Sequence, residues 1–170
     1  MQGVTINKQA RLSEHFTLGE MCQTSAKTAD GNIPSHVHIE NLKRLCGWQE
    51  MLRDEWNRRY GEGDDPIIIN SGYRSEAVNK AVGGVPDSNH LTGCAADIRV
   101  AGMEQALRYA VILLDISDER QRVGDGTSGM SREDFDELLL ERSPRGTYWL
   151  HFAVRPPSQE NRRKIRFIQT

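Results

Sequence analysis

The segment SNHLTGCAADI, residues 88–98, places a histidine and an aspartate seven residues apart, at His90 and Asp97. Small and apolar residues surround Asp97, where an ionised carboxylate is costly unless a partner compensates its charge. A capped turn or a surface strand would explain the segment without any chemistry. Alternatively, His90 and Asp97 bind one metal ion, whose charge would offset that of the carboxylate.

A further histidine, His151, lies in the apolar segment 147–154, which has the composition of a β-strand. Side chains alternate between the two faces of a strand, so His151 shares a face with Trp149 and Ala153. A histidine in such a strand is most often an ordinary polar residue. Two imidazoles and one carboxylate, however, form the ligand set of a catalytic zinc site, in which zinc polarises a substrate carbonyl and activates water. The spacing alone leaves both interpretations open.

Hydrophobic periodicity predicts the elements that would position these residues. Thr17 and Glu20 have the spacing of a capping box, and Ser75 is a candidate N-cap for a short helix. Amphipathic or apolar helices are predicted over 35–59 and 102–115. Strands are predicted over 67–70, 94–100, 135–141 and 147–154, with a loop at 125–131 and with the last two strands forming an antiparallel hairpin. The fold class is therefore α+β, a small, mainly antiparallel sheet with flanking helices.

Length and charge exclude several classes of function. The 170 residues are enough for one domain with a real core, so residues 1–170 are expected to form a single domain. The 22 basic and 24 acidic residues give a net charge of −2, which offers no global electrostatic case for binding nucleic acid or an anionic membrane. A local basic cluster at 161–166 is expected to lie in solvent. Neither a nucleic-acid partner nor a particular oligomeric state is predicted.

The cysteines and the N-terminus bear on the compartment. The three cysteines are widely spaced and form no CxxC pair, so neither a disulfide framework nor a cysteine-ligated zinc site is predicted. The N-terminal residues lack an apolar core of signal-peptide length, and no segment approaches the ~20 apolar residues of a membrane span. We therefore expect a protein made without a signal peptide or membrane anchor, cytoplasmic as encoded.

Three separated motifs resemble those of the zinc D,D-carboxypeptidase and peptidoglycan endopeptidase family of metallopeptidases. They are Ser-Gly-Tyr-Arg-Ser at 71–75, Ser-x-His-x-x-Gly-x-Ala-x-Asp at 88–97 and Trp-x-His at 149–151. The segments FTLGEM and NRRKIR are similar to those of small members found in phages and prophages. The resemblance covers about residues 12–166, with the motifs in the order that the family has them.

This resemblance implies a hedgehog-like, D,D-peptidase-like α+β fold in which His90, Asp97 and His151 bind Zn²⁺. It also implies that Arg74 binds a carboxylate or carbonyl group of the substrate peptide, a role that suits the planar fork of a guanidinium. Ser88 lies two residues before a ligand. It either forms a hydrogen bond near the metal and substrate or caps a turn.

The general base is where the sequence departs from the family. Many members carry an acidic residue three positions before the last histidine, where this chain has Tyr148. Glu141 is the best substitute, because a hairpin would bring the end of its strand beside His151; the alternative is that it is a solvated strand-end charge. Asp136 and Glu137 are alternatives expected to lie further from the metal.

The remaining histidines and Cys94 are not predicted to bind metal. His15, His36 and His38 are expected to face solvent, because residues at i and i+2 of a helix do not share a face and nothing near His15 suggests a ligand. Cys94 alternates away from Asp97 along its strand and is expected to be a small core residue.

The function implied by the resemblance is a zinc metallopeptidase that hydrolyses a peptide bond in the stem peptides of bacterial peptidoglycan. It would be a D,D-carboxypeptidase or an endopeptidase, and the sequence does not determine which bond is cut. The alternative is a non-catalytic, zinc-containing module of the same fold that binds cell-wall peptide. Action at the cell wall would be reached through a phage lysis or tail route.

Overall fold

The computed structural model describes residues 6–124 and 134–170, without the side chains of 121–124. Its helices are α1 Leu18–Met21, α2 His36–Arg59, α3 Glu76–Ala81 and α4 Met103–Gly124, with a 3₁₀ turn at Asn89–Thr92. Its strands are β1 Ile69–Ser71, β2 Ala95–Arg99, β3 Glu137–Arg142, β4 Tyr148–Ala153 and β5 Lys164–Gln169. The loop predicted at 125–131 lies outside the described residues.

One five-stranded sheet organises the described part of the chain, in the strand order β1-β2-β4-β3-β5. All neighbouring pairs are antiparallel except β3 and β5, which run parallel. The α+β class and the mainly antiparallel sheet are therefore confirmed. The hairpin of β3 and β4 is also as predicted, with Leu139 directly opposite His151.

The C-terminal segment differs from its prediction. Residues of the basic cluster, expected to lie in solvent, lead into strand β5, which pairs with β3 from Glu137↔Lys164 to Arg142↔Gln169. The cluster is not solvated as a unit, because Arg162 and Lys164 form ion pairs with Glu137 at 2.9 and 3.2 Å. Alternation of basic with apolar residues over 164–167 is typical of an edge strand, and a parallel edge strand has no local hairpin signal to reveal it.

The other helix and strand boundaries lie within a few residues of the predicted ones, except that some elements are longer than predicted. The capping box of Thr17 and Glu20 is present at α1, and Ser75 caps α3. Strand β1 begins at Ile69, two residues later than predicted, and α4 continues to Gly124. No helix within the described ranges, 6–124 and 134–170, is long and apolar enough to cross a membrane.

One face of the sheet packs against the helices in the core, and the other face carries polar side chains. On one face, Leu150 and Phe152 of β4 are fully buried in a core shared with the helices, where the rings of Trp48 and Phe152 lie 5.2 Å apart. Burial of each large apolar side chain contributes about 1.5–3 kcal/mol, so this face holds α2 and α4 against the sheet. The opposite face carries the polar residues of β2, β3 and β4. Position along each strand therefore decides whether a residue builds the core or the site.

Gly93 allows α2 to approach the 3₁₀ turn that carries His90, and Gly72 allows α1 to approach the turn after β1. Gly93 ends the 3₁₀ turn in the left-handed region with φ +72°, and a Cβ there would lie 2.7 Å from the carbonyl oxygen of His38. A Cβ at Gly72 would collide with the carbonyl oxygen of Met21. Only glycine satisfies both the conformation and the close backbone contact at position 93.

We predict that Gly93→Ala lowers the free energy of unfolding by about 1–3 kcal/mol, the cost of a strained left-handed residue. Gly47→Ala is the matched control, because Gly47 lies in the interior of α2 with nothing within 4 Å of an added Cβ. Alanine should stabilise that helix by about 0.5–1 kcal/mol. Urea denaturation of both variants measures the two effects, and a Gly93→Ala protein as stable as the parent would contradict the prediction.

Candidate metal centre

Three potential metal ligands converge on the polar face of the sheet. His90 comes from the 3₁₀ turn, Asp97 from β2 and His151 from β4, and Asp97 lies directly opposite His151 in the antiparallel register. One donor atom from each side chain lies within 4.8 Å of the others. Both imidazoles are buried, and the Asp97 side chain is 13% exposed. The structure thus brings the three predicted ligands together.

The orientation of the His90 ring is fixed by the nitrogen that points away from Asp97. Its Nδ1 lies 2.6 Å from the carbonyl oxygen of Gly72, to which it donates a hydrogen bond, and its Nε2 lies 3.2 Å from Asp97 Oδ1. A histidine that donates Nδ1–H to a carbonyl presents the lone pair of Nε2, the arrangement usual for a metal ligand. Burial lowers the pKa of His90 and so favours the neutral ring that binds metal.

Ser88 caps the turn that carries His90. Its hydroxyl accepts a hydrogen bond from the backbone N–H of His90 at 3.3 Å, as an N-cap residue does. The structure therefore shows the capping role that was one of the two alternatives for this residue. A contact with substrate stays a prediction.

His151 lies between two carboxylates. Its Nδ1 is 2.9 Å from Asp97 Oδ1, and its Nε2 is 3.4 Å from Glu137 Oε2 without the geometry of a hydrogen bond. Burial alone would lower the pKa of His151, but the interactions with Asp97 and Glu137 outweigh it and raise the pKa to about 9. Glu137, expected to lie further from the metal than Glu141, thus contacts a predicted ligand without belonging to the converging donor group, and its distance from a metal stays a prediction.

The carboxylate of Asp97 has partners on both oxygens. Oδ1 faces the two imidazoles, while Oδ2 accepts a hydrogen bond from a terminal nitrogen of Arg74. Burial would raise the pKa of Asp97, but the histidines hold it well below its usual range. A charge in apolar surroundings is tolerated here because partners from three segments of the chain surround it.

Arg74 is engaged with the site rather than free on the surface. In addition to Asp97, it donates from Nε to Ser71 Oγ at 2.8 Å. Its other terminal nitrogen, Nη1, has no hydrogen-bond partner in the part of the chain that the structure describes. The predicted contact of Arg74 with substrate is untested, and one donor group of the guanidinium remains available for it.

The donor set fits zinc. The site offers two imidazole nitrogens and one carboxylate oxygen in a largely buried position. Catalytic Zn²⁺ sites combine such ligands with one open coordination position. Nε2 of His90 and Nδ1 of His151 lie 3.2 and 2.9 Å from the same oxygen of Asp97, so donor atoms of all three side chains meet at one place. Among the described residues, no other group of histidine, cysteine and acidic side chains converges in this way.

Register places Tyr148 on the core face of β4 and Glu141 on the same face of the sheet as His151. Tyr148 packs against the core side of β4, opposite to His151. Glu141 pairs with Trp149 and is therefore a diagonal neighbour of His151 on the site face. Burial raises the pKa of this half-buried carboxyl despite the nearby positive charge of His151. The carboxyl group of Glu141 forms no hydrogen bond or ion pair within the described ranges.

The other residues considered from sequence lie outside this cluster. His15 forms an ion pair with Glu50 at 2.7 Å, and Nδ1 of His38 accepts from the backbone N–H of Ser35 at 3.2 Å in the capping box of α2. His15 and His36 are exposed, as expected, whereas His38 is only partly exposed. Cys94 is fully buried, in agreement with a core role.

The fold and the site together define a zinc metallopeptidase-type domain. The sequence model of the Peptidase M15 family matches residues 14–119, and the chain belongs to that family. The zinc D-Ala-D-Ala carboxypeptidase of Streptomyces albus G is 48% identical over 101 residues, which cover 55% of this chain and 37% of that protein. The chain therefore spans well under half the length of this relative. The family resemblance read from the motifs is confirmed.

We predict that Zn²⁺ raises the melting temperature of the metal-free protein and that His151→Ala removes most of this shift. A ligand present at 100 times its dissociation constant stabilises the native state by about 2.7 kcal/mol, which corresponds to several degrees for a chain of this size. His15→Ala is the control, since His15 pairs with Glu50 outside the cluster. A full zinc shift in His151→Ala, measured by differential scanning calorimetry, would argue against the site.

Proposed function

We propose that this protein is a zinc metallopeptidase that hydrolyses a peptide bond in the stem peptides of bacterial peptidoglycan, as a D,D-carboxypeptidase or an endopeptidase. The observation that carries the proposal is the convergence of donor atoms from His90, Asp97 and His151 within 4.8 Å, in a chain of the Peptidase M15 family. These three residues would hold Zn²⁺. The metal would polarise the scissile carbonyl and activate the attacking water.

Glu141 is the proposed general base. It would take a proton from the attacking water and transfer it to the leaving amine, steps that a positioned carboxyl accelerates about 10²–10⁴-fold. Two features support this role: Glu141 shares the site face with His151, and its oxygens have no partner in the described part of the chain. A pKa raised by burial suits a group that must accept and then release a proton.

Arg74 and Ser88 are the proposed substrate-binding residues. The free terminal nitrogen of Arg74 would donate to a carboxylate or carbonyl of the stem peptide while its other terminal nitrogen stays on Asp97. The same guanidinium would thereby couple substrate orientation to the position of a metal ligand. Ser88 would contribute through the turn that it caps, next to His90.

The chain is proposed to form a single zinc D,D-carboxypeptidase-like domain over residues 1–170, with the motif-bearing core at about 12–166. Its setting is proposed to be that of the small phage and prophage type, with the bacterial cell wall as its target. Similarity to the zinc D-Ala-D-Ala carboxypeptidase of Streptomyces albus G, which is named for cleavage at D-Ala-D-Ala, supports a peptidoglycan peptide as the substrate.

Purified protein loaded with zinc tests the proposal. The metal content is measured first, and the protein is then incubated with purified peptidoglycan and with soluble muropeptides. Free D-alanine identifies a carboxypeptidase, whereas new amine termini on longer fragments identify an endopeptidase. Stoichiometric zinc without any product would favour the non-catalytic peptide-binding module, and absence of zinc after reconstitution would reject the metal site.

We predict that Glu141→Gln lowers kcat about 10²–10⁴-fold while zinc remains bound, because the amide cannot accept the proton. Glu104→Gln is the control, since Glu104 is a 78% exposed side chain on α4 whose carboxylate pairs with Arg108. Muropeptide turnover followed by mass spectrometry, together with metal analysis, gives both readouts. Unchanged turnover in Glu141→Gln would assign the base elsewhere.

A further inference from the structure

A network of charges connects His151 with the C-terminal strand through Glu137. One carboxylate oxygen of Glu137, Oε2, lies 3.4 Å from His151 Nε2 and accepts a hydrogen bond from Asn89 Nδ2 at 3.1 Å. The other oxygen, Oε1, accepts from Arg162 at 2.9 Å and from Lys164 at 3.2 Å. Both oxygens are therefore engaged, and the carboxylate is held from three sides.

The groups that hold Glu137 are themselves fixed by the neighbouring Asp136. This carboxylate is fully buried and accepts hydrogen bonds from Arg162 Nε at 2.8 Å and from Asn89 at 2.9 Å. Arg155 adds an ion pair at 3.1 Å. Because a buried charge needs such partners, Asp136 fixes the same arginine and amide that contact Glu137. Asn89 also directly precedes His90 in the chain, so the network reaches two of the proposed ligands.

The two ring nitrogens of His151 have different neighbours. Nδ1 faces Asp97 Oδ1 at 2.9 Å, inside the cluster of donor atoms, whereas Nε2 faces Glu137. Glu137 itself is not a member of the converging ligand group. An imidazole that binds metal through one nitrogen commonly gives its other N–H to a carboxylate, which fixes the tautomer and the ring orientation.

We propose that Glu137, held by Asn89, Arg162 and Lys164, is a positioning residue that orients His151 with Nδ1 toward the metal and Nε2–H toward its own carboxylate. The inference rests on the proposed zinc site and goes beyond it, because it assigns the basic C-terminal segment a part in metal binding. Glu137 and Glu141 thereby have separate tasks. Glu137 has both oxygens occupied, while Glu141 has neither occupied by described residues.

Zinc affinity, measured by competition with a chromophoric chelator, tests this assignment in the parent protein and in Glu137→Ala and Glu137→Gln. Loss of such an outer carboxylate typically weakens metal binding 10–100-fold, so we expect that loss for alanine. Glutamine keeps an acceptor oxygen and should restore part of the affinity. Asp118→Asn is the matched control, because it removes the 2.7 Å ion pair with Arg163 in the same segment without contacting the site.

Two spectroscopic readouts separate positioning from mere stability. The cobalt-substituted Glu137→Ala protein should show altered visible absorption bands, and long-range ¹H–¹⁵N NMR of the zinc-loaded parent should show His151 protonated at Nε2. Parent-like zinc affinity in both variants, or a His151 protonated at Nδ1, would overturn the assignment. If Glu137→Ala does not fold, Glu137→Gln decides: weakened zinc binding supports the role, and unchanged binding rejects it. A parent protein that binds no zinc would instead reject the proposed function itself.

Discussion

The carboxylate of Asp97 is the group around which the site face of this sheet is built. It lies on β2, where its neighbours Ala96 and Ile98 face the core, and it stays ionised because partners occupy both of its oxygens. Those partners come from separate segments: His90 from the 3₁₀ turn, His151 from β4, and Arg74 from the turn after β1. A buried charge that loses a partner costs several kcal/mol. Folding that buries Asp97 therefore requires all three segments to meet.

Compensation of this charge also explains the arrangement of the surrounding carboxylates. His151 lies between the carboxylates of Asp97 and Glu137, and its interactions with both raise its pKa to about 9. A bound divalent cation would itself place positive charge next to Asp97. The proton could then leave the metal-binding nitrogen of His151 while the charge of the Asp97 carboxylate stayed compensated. The remaining carboxylate, Glu137, is balanced by Arg162 and Lys164 from outside the cluster. Going outward from Asp97, the site thus contains His151, then the carboxylate of Glu137, then the cations of Arg162 and Lys164.

The sequence predicted the parts of the structure that depend on local signals. The capping box of Thr17, the hairpin of β3 and β4, and the motif that brings His90 toward Asp97 all follow from short-range patterns. Strand β5 did not follow, because its pairing with β3 is parallel and its residues read as a basic tail. The contact of Glu137 with His151 was missed for a related reason. Alternation assigns Glu137 and Glu141 to one face, but only the register shows which neighbour each one meets.

The same register accounts for the departure at Tyr148. On β4, residues at an odd distance from His151 face the core, so an acid at position 148 would point toward apolar core side chains and away from the site face. The proposed base must then come from the neighbouring strand. The hairpin turn closes with hydrogen bonds between Ser143 and Thr147 and between Gly146 and Ser143, both 2.9 Å long.

That turn sets which residue of β3 stands beside His151. A slip by one residue would turn both Glu137 and Glu141 to the other face. Leu139 lies opposite His151 and separates the two glutamates along β3. The carboxylate of Glu137 is paired with Arg162 and Lys164, whereas that of Glu141 has no partner in the described ranges. Their different surroundings, rather than their shared chemistry, therefore allow one strand to supply both a support for a ligand and a candidate proton acceptor.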